Sequence, residues 1–248
     1  MKYPRGWVKD TPDFRDIKFQ TKYMALPPVI DMRASMPPVY DQGQLGSCTA
    51  NAIASAIQFE QMKQGIPAFM PSRLFIYYNE RAIEHTTKSD SGAQIRDGIK
   101  SVNKQGVCPE TEWTYNISKF AKKPPKICYA DALKDKVIQY ASISQDLILL
   151  KSCLALLFPI VFGISVFDSF ESDEVAKTGI VPMPQKSESS LGGHCIKSVG
   201  YDDSKEYFIV KNSWGTSWGD KGYCYIPYEY VLNQGLASDF WKITLIGN

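Results

Sequence analysis

The spacing of hydrophobic and polar positions changes along the chain, and the change divides it. Over residues 47–64, Ala50, Ile53, Ala54, Ile57 and Gln61 recur at helical spacing, and Gly65 closes the run. "PSRLFIYYNERAIE" fits a second helix with Pro71 before its start, and "AQIRDGIKSVNKQG" fits a third that stops near Gly106. The stretch from there to Pro125 is loop-like, and "KKPP" marks a lobe boundary. A further helix is expected over about 145–157. Beyond it come short β-branched and aromatic runs, "PIVFGISVF", "CIKSVGY", "YFIVKNSW" and "YCYIPYEYV", which read as strands between Gly, Asp and Ser turns. Helices first and strands later predict an α+β protein, with a helical lobe over about 47–117 and a β lobe over about 118–240.

Ahead of these elements, residues 1–25 are polar, with Pro4, Pro12 and alternating charges, and read as an extended arm. The length, 248 residues, suits one large domain or two small lobes, and 44% hydrophobic with 22% charged residues is a globular composition. Lys and Arg number 28 against 26 Asp and Glu, a net charge of +2, so neither a nucleic-acid nor an anionic-membrane partner is indicated. The apolar run "LILLKSCLALLFPIVFGISVF" is broken by Lys151, Ser152, Pro159 and Gly163; a buried helix and strand explain it better than a membrane span. "MKYPRGWVKDTPDFRDIKF" lacks the apolar centre of a signal peptide, so an intracellular setting is expected, cytoplasmic or packaged in a compartment or particle. Without secretion, the six cysteines fit free thiols as well as disulfides.

Candidate chemistry starts at "DQGQLGSC", where Cys48 opens a helix behind a Gly-Ser turn. Unpaired amides and the macrodipole at a helix N-terminus favour a thiolate, although a cysteine there is also commonly a small buried residue. An imidazolium would activate it further, and the chain holds two histidines. His85 sits in a polar helix end and reads as solvated. His194, in "LGGHCIKSVGY", stands at the mouth of a strand, where it could face a cleft or pack in a loop. Asn212 ends an apolar strand in "KNSWGTSWGDKGY". Its amide could hold an imidazole tautomer and Trp214 and Trp218 could keep that bond dry, or the segment could be a tight turn with two packing indoles. Gln42 lies close enough to the helix start to donate, with the Cys48 N–H, to an oxyanion.

Taken together, "DQGQLGSC", "GGHCIKSVGYDD" and "VKNSWGTSWGDKGY" make the chain resemble the papain-like cysteine peptidases, papain and the cathepsins, from about Leu26 to the C-terminus. The resemblance implies a two-lobe fold with the active-site cleft between a helical and a β lobe. It implies Cys48 as nucleophile, His194 as acid and base, Asn212 as the residue orienting His194, and Gln42 as oxyanion donor, with Trp214 and Trp218 in support. The reaction would be peptide hydrolysis through a thioester, without cofactor or metal, by an endopeptidase. Gly92, Ala93, Gln94, Gly163, Gly193 and Asp239 would bind substrate, in a roomy pocket taking a bulky hydrophobic residue two before the cut bond. Peptide or protein substrates, cystatin-like inhibitors and a monomeric state follow from the same resemblance.

The chain departs from the pattern at Thr49, where the family has an aromatic residue, and at Leu45, where it has a cysteine tied to the glycine segment, here the Cys-free "SDSG". Among the remaining cysteines, Cys108, Cys128, Cys153, Cys195 and Cys224, the first two are the pair most open to bridging. The arm 1–25 is shorter than the family's inhibitory pro-segment, and reads either as a short one lying in or near the cleft or as a packing arm or disordered tail. Two other functions use the same residues: a catalytically inactive papain-fold binding module, and a Cys-His acyltransferase. Loss of active-site labelling in Cys48→Ala would separate the first, and amine incorporation without cleavage the second.

Overall fold

The computed structural model describes residues 3–22 and 24–247. Helix α1 (Cys48–Gln64) runs through the middle of the molecule with thirteen of its seventeen residues buried, and ends at Gly65 in the left-handed region. It is not a surface helix with one apolar face: small residues, Ala50, Ala52, Ala54, Ser55 and Ala56, let neighbours approach it from all sides. Helices α2 (Arg73–Ile83) and α3 (Ile95–Gln105) pack beside it, and the short strand β3 (Ala93–Gln94) leads into α3.

A seven-stranded sheet forms the other side. The order is β4 (Lys136–Ile143), β9 (Ala237–Gly247), β5 (Ile160–Phe167), β6 (Ser190–Asp202), β7 (Tyr207–Lys211) and β8 (Tyr223–Pro227), with β2 (Val29–Asp31) added to β6. Every pairing is antiparallel. Helices α5 (Leu147–Ala155) and α6 (Asp173–Thr178) complete this side. Two apolar cores result: one joins helices α1 to α3 to sheet residues such as Val161, Cys195 and Trp241, and the other gathers most of the remaining buried sheet residues with α5 and α6.

Four local expectations change. The "YEYV" half of the last expected strand is helix α7 (Tyr228–Leu232), because Pro227 interrupts the ladder and stands at the N-cap. His194 is not at the mouth of its strand but within β6, which begins at Ser190. Strands β4 and β9 pair with each other, although neither was expected. The lobe boundary also moves. Helix α4 (Lys126–Ala132) buries Cys128 and Ala132 in the core of the helical side, so that side extends past residue 117 to about 132.

The N-terminal arm is packed. Strand β1 (Trp7–Val8) pairs parallel with β3, Lys18 bridges Ser142, and Phe19 enters the core of the sheet side.

Candidate active site

Cys48 is the first residue of α1. Its N-cap, Ser47, makes no side-chain cap bond and instead holds Tyr115 Oη at 2.5 Å, which leaves first-turn amides pointing out of the helix. Strand β6, which carries His194, packs on α1, and the backbone of the next residue, Cys195, touches the Cys48 thiol. Asn212 immediately follows β7, and its Oδ1 lies 2.7 Å from His194 Nε2. Trp214 stacks on the imidazole at 4.6 Å between ring centroids, and Trp218 meets Trp214 edge-on at 5.1 Å. Both indoles are buried, so the bond between histidine and asparagine is dry. His194 Nδ1 is buried and has no hydrogen-bond partner in the protein, so this ring nitrogen is free for the thiol.

Gln42 is also buried, and its orientation is set. Ser213 Oγ donates to its Oε1 at 2.8 Å, which turns Nε2 towards the carbonyls of Leu45 at 2.9 Å and Pro4 at 3.1 Å. Pro4 belongs to the arm. One of the two acceptors of Gln42 Nε2 is therefore a carbonyl of the chain's own arm.

The rest of residues 3–7 fill the cleft in the same way. Tyr3 stacks on Trp214 at 4.1 Å and 6°. Arg5 donates to Leu191 O at 2.8 Å and pairs with Glu171 at 2.6 Å, both partners shielded from water. Gly6 lies on the Cys48 thiol, and its carbonyl accepts from Ala93 N at 2.7 Å. Only glycine fits here: a Cβ at Gly6 would lie 1.6 Å from Gly46 O. The Trp7 indole packs on Gly163 and Gly193, where an added Cβ would fall 1.9 and 2.6 Å from its atoms, and its Nε1 donates to Asp239 Oδ2 at 3.1 Å.

All six positions expected to bind substrate thus surround the arm. Gly92 and Ala93 touch Gly6, Gln94 pairs with Val8 and accepts from Thr11 N at 2.9 Å, and Gly163, Gly193 and Asp239 enclose Trp7. The pocket is not simply roomy and apolar: it is occupied, and one wall carries a buried carboxylate, which burial holds above the usual range.

This burial reverses the charge state expected of the nucleophile. Cys48 is fully covered, not exposed by the Gly46–Ser47 turn, and desolvation pushes its thiol up to about 12 despite amides from Cys195, Gly6 and Thr49. Desolvation likewise pushes His194 down to about 4, aided by the positive charge of Arg5 and resisted by Asn212. With the arm in place, near pH 7, the pair is a neutral thiol and a neutral imidazole.

Two departures from the familiar motif have structural counterparts. Asp90 replaces a covalent strap. Its carboxylate accepts from Gly46 N at 3.0 Å and from Tyr77 Oη, and Tyr77 Oη accepts from Gly92 N at 3.2 Å. The nucleophile turn and the substrate-binding strand are therefore joined through one carboxylate and one phenol. Arg81 holds this loop from behind by donating to Thr87 O and Ser89 O while lying over the Tyr77 ring. Thr49 donates to Glu80 Oε1 at 2.7 Å. Glu80 is wholly buried, and desolvation raises its carboxyl well above the ordinary value.

Sequence reasoning did not find Asp90, Tyr77, Glu80, Glu171 and Ser213, and while it offered the arm 1–25 as lying in or near the cleft, it did not single out residues 3–7. The available signal was "YPRGW", an arginine and a glycine between two aromatics in an otherwise polar arm. His85 is exposed at the end of α2, away from this cluster. All six cysteines, including Cys108 and Cys128, are free thiols.

The model of the papain family cysteine proteases matches residues 26–240. An uncharacterised peptidase C1-like protein of Acanthamoeba polyphaga mimivirus is 46% identical, over 96% of this chain and 86% of its own length. A cathepsin L-like peptidase of Aedes aegypti is 29% identical over 86% of this chain, which spans 62% of that relative's length. Among solved structures, xylellain, a cysteine protease from Xylella fastidiosa, superimposes with a TM-score of 0.92 at 45% identity, covering 96% of this chain and 95% of that one. A digestive procathepsin L 3 of Tenebrio molitor superimposes at 0.75 with 20% identity, over 93% of this chain and 74% of its own, a likeness of fold. The chain belongs to the papain family of cysteine proteases.

Proposed function

We propose that the chain is an endopeptidase with Cys48 as nucleophile and His194 as its acid and base, held latent by residues 3–7 of its own arm. The observation that carries this reading is the Pro4 carbonyl on Gln42 Nε2, with Gly6 on the thiol and Trp7 in the pocket. The arm satisfies the groups that a substrate would use.

Once the arm is out, Cys48 thiolate attacks the peptide carbonyl, and the oxyanion is received by Gln42 Nε2 and the Cys48 N–H. His194, held by Asn212, protonates the leaving amine and then activates the water that hydrolyses the thioester. A substrate with its second residue before the cut in the Trp7 pocket would run from that pocket towards Trp214. The arm runs the other way, from Tyr3 on Trp214 to Trp7 in the pocket. In that direction its residues meet the Cys48 thiol in the reverse order to a substrate's, with the Gly6 amide on the sulfur. A backward peptide can fill the cleft without being cut.

The pocket supports a bulky aromatic two residues before the cut. Asp239 adds preference for a side chain with a donor at its end, such as Trp, over Phe of similar bulk. A cystatin-like inhibitor would have to displace the arm before it could bind.

Labelling by an epoxysuccinyl thiol-peptidase probe tests the reading in the full chain. The expected result is slow labelling that becomes faster in Trp7→Ala and vanishes in Cys48→Ala. Equal labelling rates with and without Trp7 would refute latency, and labelling that survives Cys48→Ala would refute the nucleophile.

A further inference from the structure

The loop after α3 and the first turn of α4 bring together three groups that the peptidase reaction does not use. Cys108 Sγ, Cys128 Sγ and a carboxylate oxygen of Glu112 all lie within 4.8 Å of one another. Both cysteines are buried and unbridged, whereas Glu112 is exposed and leaves a route from solvent. We propose that Cys108, Cys128 and Glu112 form a binding site for a thiophilic divalent cation of the zinc class.

The spacing fits that chemistry. Two thiolates on a tetrahedral zinc ion, each about 2.3 Å from the metal, stand about 3.8 Å apart, and a thiolate and a carboxylate oxygen about 3.5 Å apart. The three ligand atoms, all within 4.8 Å of one another, need close by no more than about 1 Å to reach these separations. Two thiolates and one carboxylate leave a fourth position for water at the exposed rim.

The backbone around the cluster is pinned. Cys108 O accepts from Ser72 N at 2.8 Å, Glu112 N donates to Pro109 O at 3.0 Å, and Cys128 N donates to Pro125 O at 3.1 Å. Both thiols and the carboxyl are pushed above their ordinary values, chiefly by desolvation and further by one another or by Asp131. As anions they repel, and a dication would remove that repulsion. Binding forms two metal–sulfur bonds and one metal–oxygen bond, and the two thiol protons leave to solvent, so charge balances.

The site is also placed to affect the cleft. Three residues after Glu112, Tyr115 donates to Gln42 O at 2.9 Å and contacts Ser47 Oγ. A cation would brace the loop that supports both the oxyanion donor and the nucleophile turn.

The test uses the full chain carrying Cys48→Ala, so that the catalytic thiol does not bind metal. The reduced, chelator-treated protein is titrated with Cd²⁺ and then with Zn²⁺. The expected result is one equivalent of Cd²⁺ with an ultraviolet thiolate-to-metal band, displacement of that band by Zn²⁺, and a higher Tm. Cys108→Ser and Cys128→Ser should each lose stoichiometric binding, Glu112→Gln should bind more weakly, and Cys153→Ser should bind like the parent. X-ray absorption on the parent protein, with two sulfur and lighter-atom ligands expected, decides the matter if a Ser variant does not fold. No stoichiometric uptake by the reduced protein overturns the proposal, including the case in which Cys108 and Cys128 simply form a disulfide. Uptake that survives loss of both thiols, or a metal shell without two sulfurs, also overturns it.

Discussion

The two halves of the N-terminal arm are held by different means. Residues 3–8 are bound by groups with other work to do: Gln42, the Cys48 thiol, Ala93 N, Trp214 and the glycine-lined pocket. Residues 10–19 are bound mainly by groups that serve the fold, with Asp10 N on Asp239 and Thr11 N on Gln94 as links back to the cleft. Asp10 accepts from Trp241 Nε1 and Arg96 N, Arg96 pairs with Asp16 at 2.6 Å in near-complete burial, and Phe19 lies in the core. The first half is a plug and the second an anchor. Deleting residues 1–25 would remove both, and loss of activity in such a variant would say nothing about inhibition.

The largest expected effect lies beneath the plug. Cys48→Ala should reduce peptide cleavage by on the order of 10⁴-fold or more, measured after the arm has been loosened by Trp7→Ala. An anchor residue should act on stability instead. Asp16→Ala leaves the Arg96 guanidinium buried without its partner and should cost about 3 kcal/mol in urea unfolding, with little change in probe labelling of the remaining folded protein. If labelling rises as much as stability falls, the arm is one unit and not two.

Trp7→Ala should do the opposite. Losing a buried indole weakens the plug by about 2–3 kcal/mol, so labelling should become about 30- to 100-fold faster with a smaller loss of stability than in Asp16→Ala. Asp90→Ala tests the wall on which the plug rests. It leaves Gly46 N and Tyr77 Oη without their acceptor, at about 1–2 kcal/mol. In the Trp7→Ala background, KM should rise severalfold more than kcat falls, because Gly92 shifts while Cys48 and His194 keep their contacts; an unchanged KM would mean that Asp90 only stabilises the fold.

The smallest effect is one of pH. The plug holds His194 near 4, below its ordinary value of 6.5, so the released cleft binds a proton that the plugged one does not. Release should therefore gain between pH 6.5 and 4, and level off below, where both states are protonated. The advantage of Trp7→Ala over the full chain in labelling rate should narrow across that window. Asp10 has the opposite sign. Burial, then the charge of Asp239, raise it to about 7, so its contribution to docking is complete below 3.8 and is lost as pH rises to about 7. An advantage that widens on acidification would show that Asp10 leaves together with the plug. Imidazole NMR, with only His85 as a second signal, follows the same equilibrium directly.

The gathering of Gln42, Cys48, His194 and Asn212 was legible in the sequence because its parts are local. Gln42 and Cys48 share one turn, and Asn212 and Trp214 share another. Helices α1 to α3 were legible for the same reason, from periodicity, with Gly65 and Gly106 closing α1 and α3 and Pro71 standing before α2. The plug was not, because its meaning lies in complementarity between Trp7 and Gly163, Gly193 and Asp239, which only the folded sheet brings together. Strand propensity misread α7, where the aromatic residues of "YEYV" pack against the sheet from a short helix started by Pro227. The substitute for the missing strap was hidden because a carboxylate shared by an amide and a phenol has no fixed spacing.

The anchor has a further consequence for the strength required of the plug. A tethered ligand competes at a local concentration set by its tether, on the order of millimolar for a short flexible link. With Asp10 fixed next to Asp239, residues 3–8 never diffuse away, and a plug whose free peptide bound with a Kd of only about 10 μM would still occupy the cleft about 99% of the time. The proposed latency would thus be a property of connectivity as much as of affinity: a single cut between Val8 and Asp10 would turn a nearly saturated inhibitor into a dilute, weak one, while the anchor stayed in place.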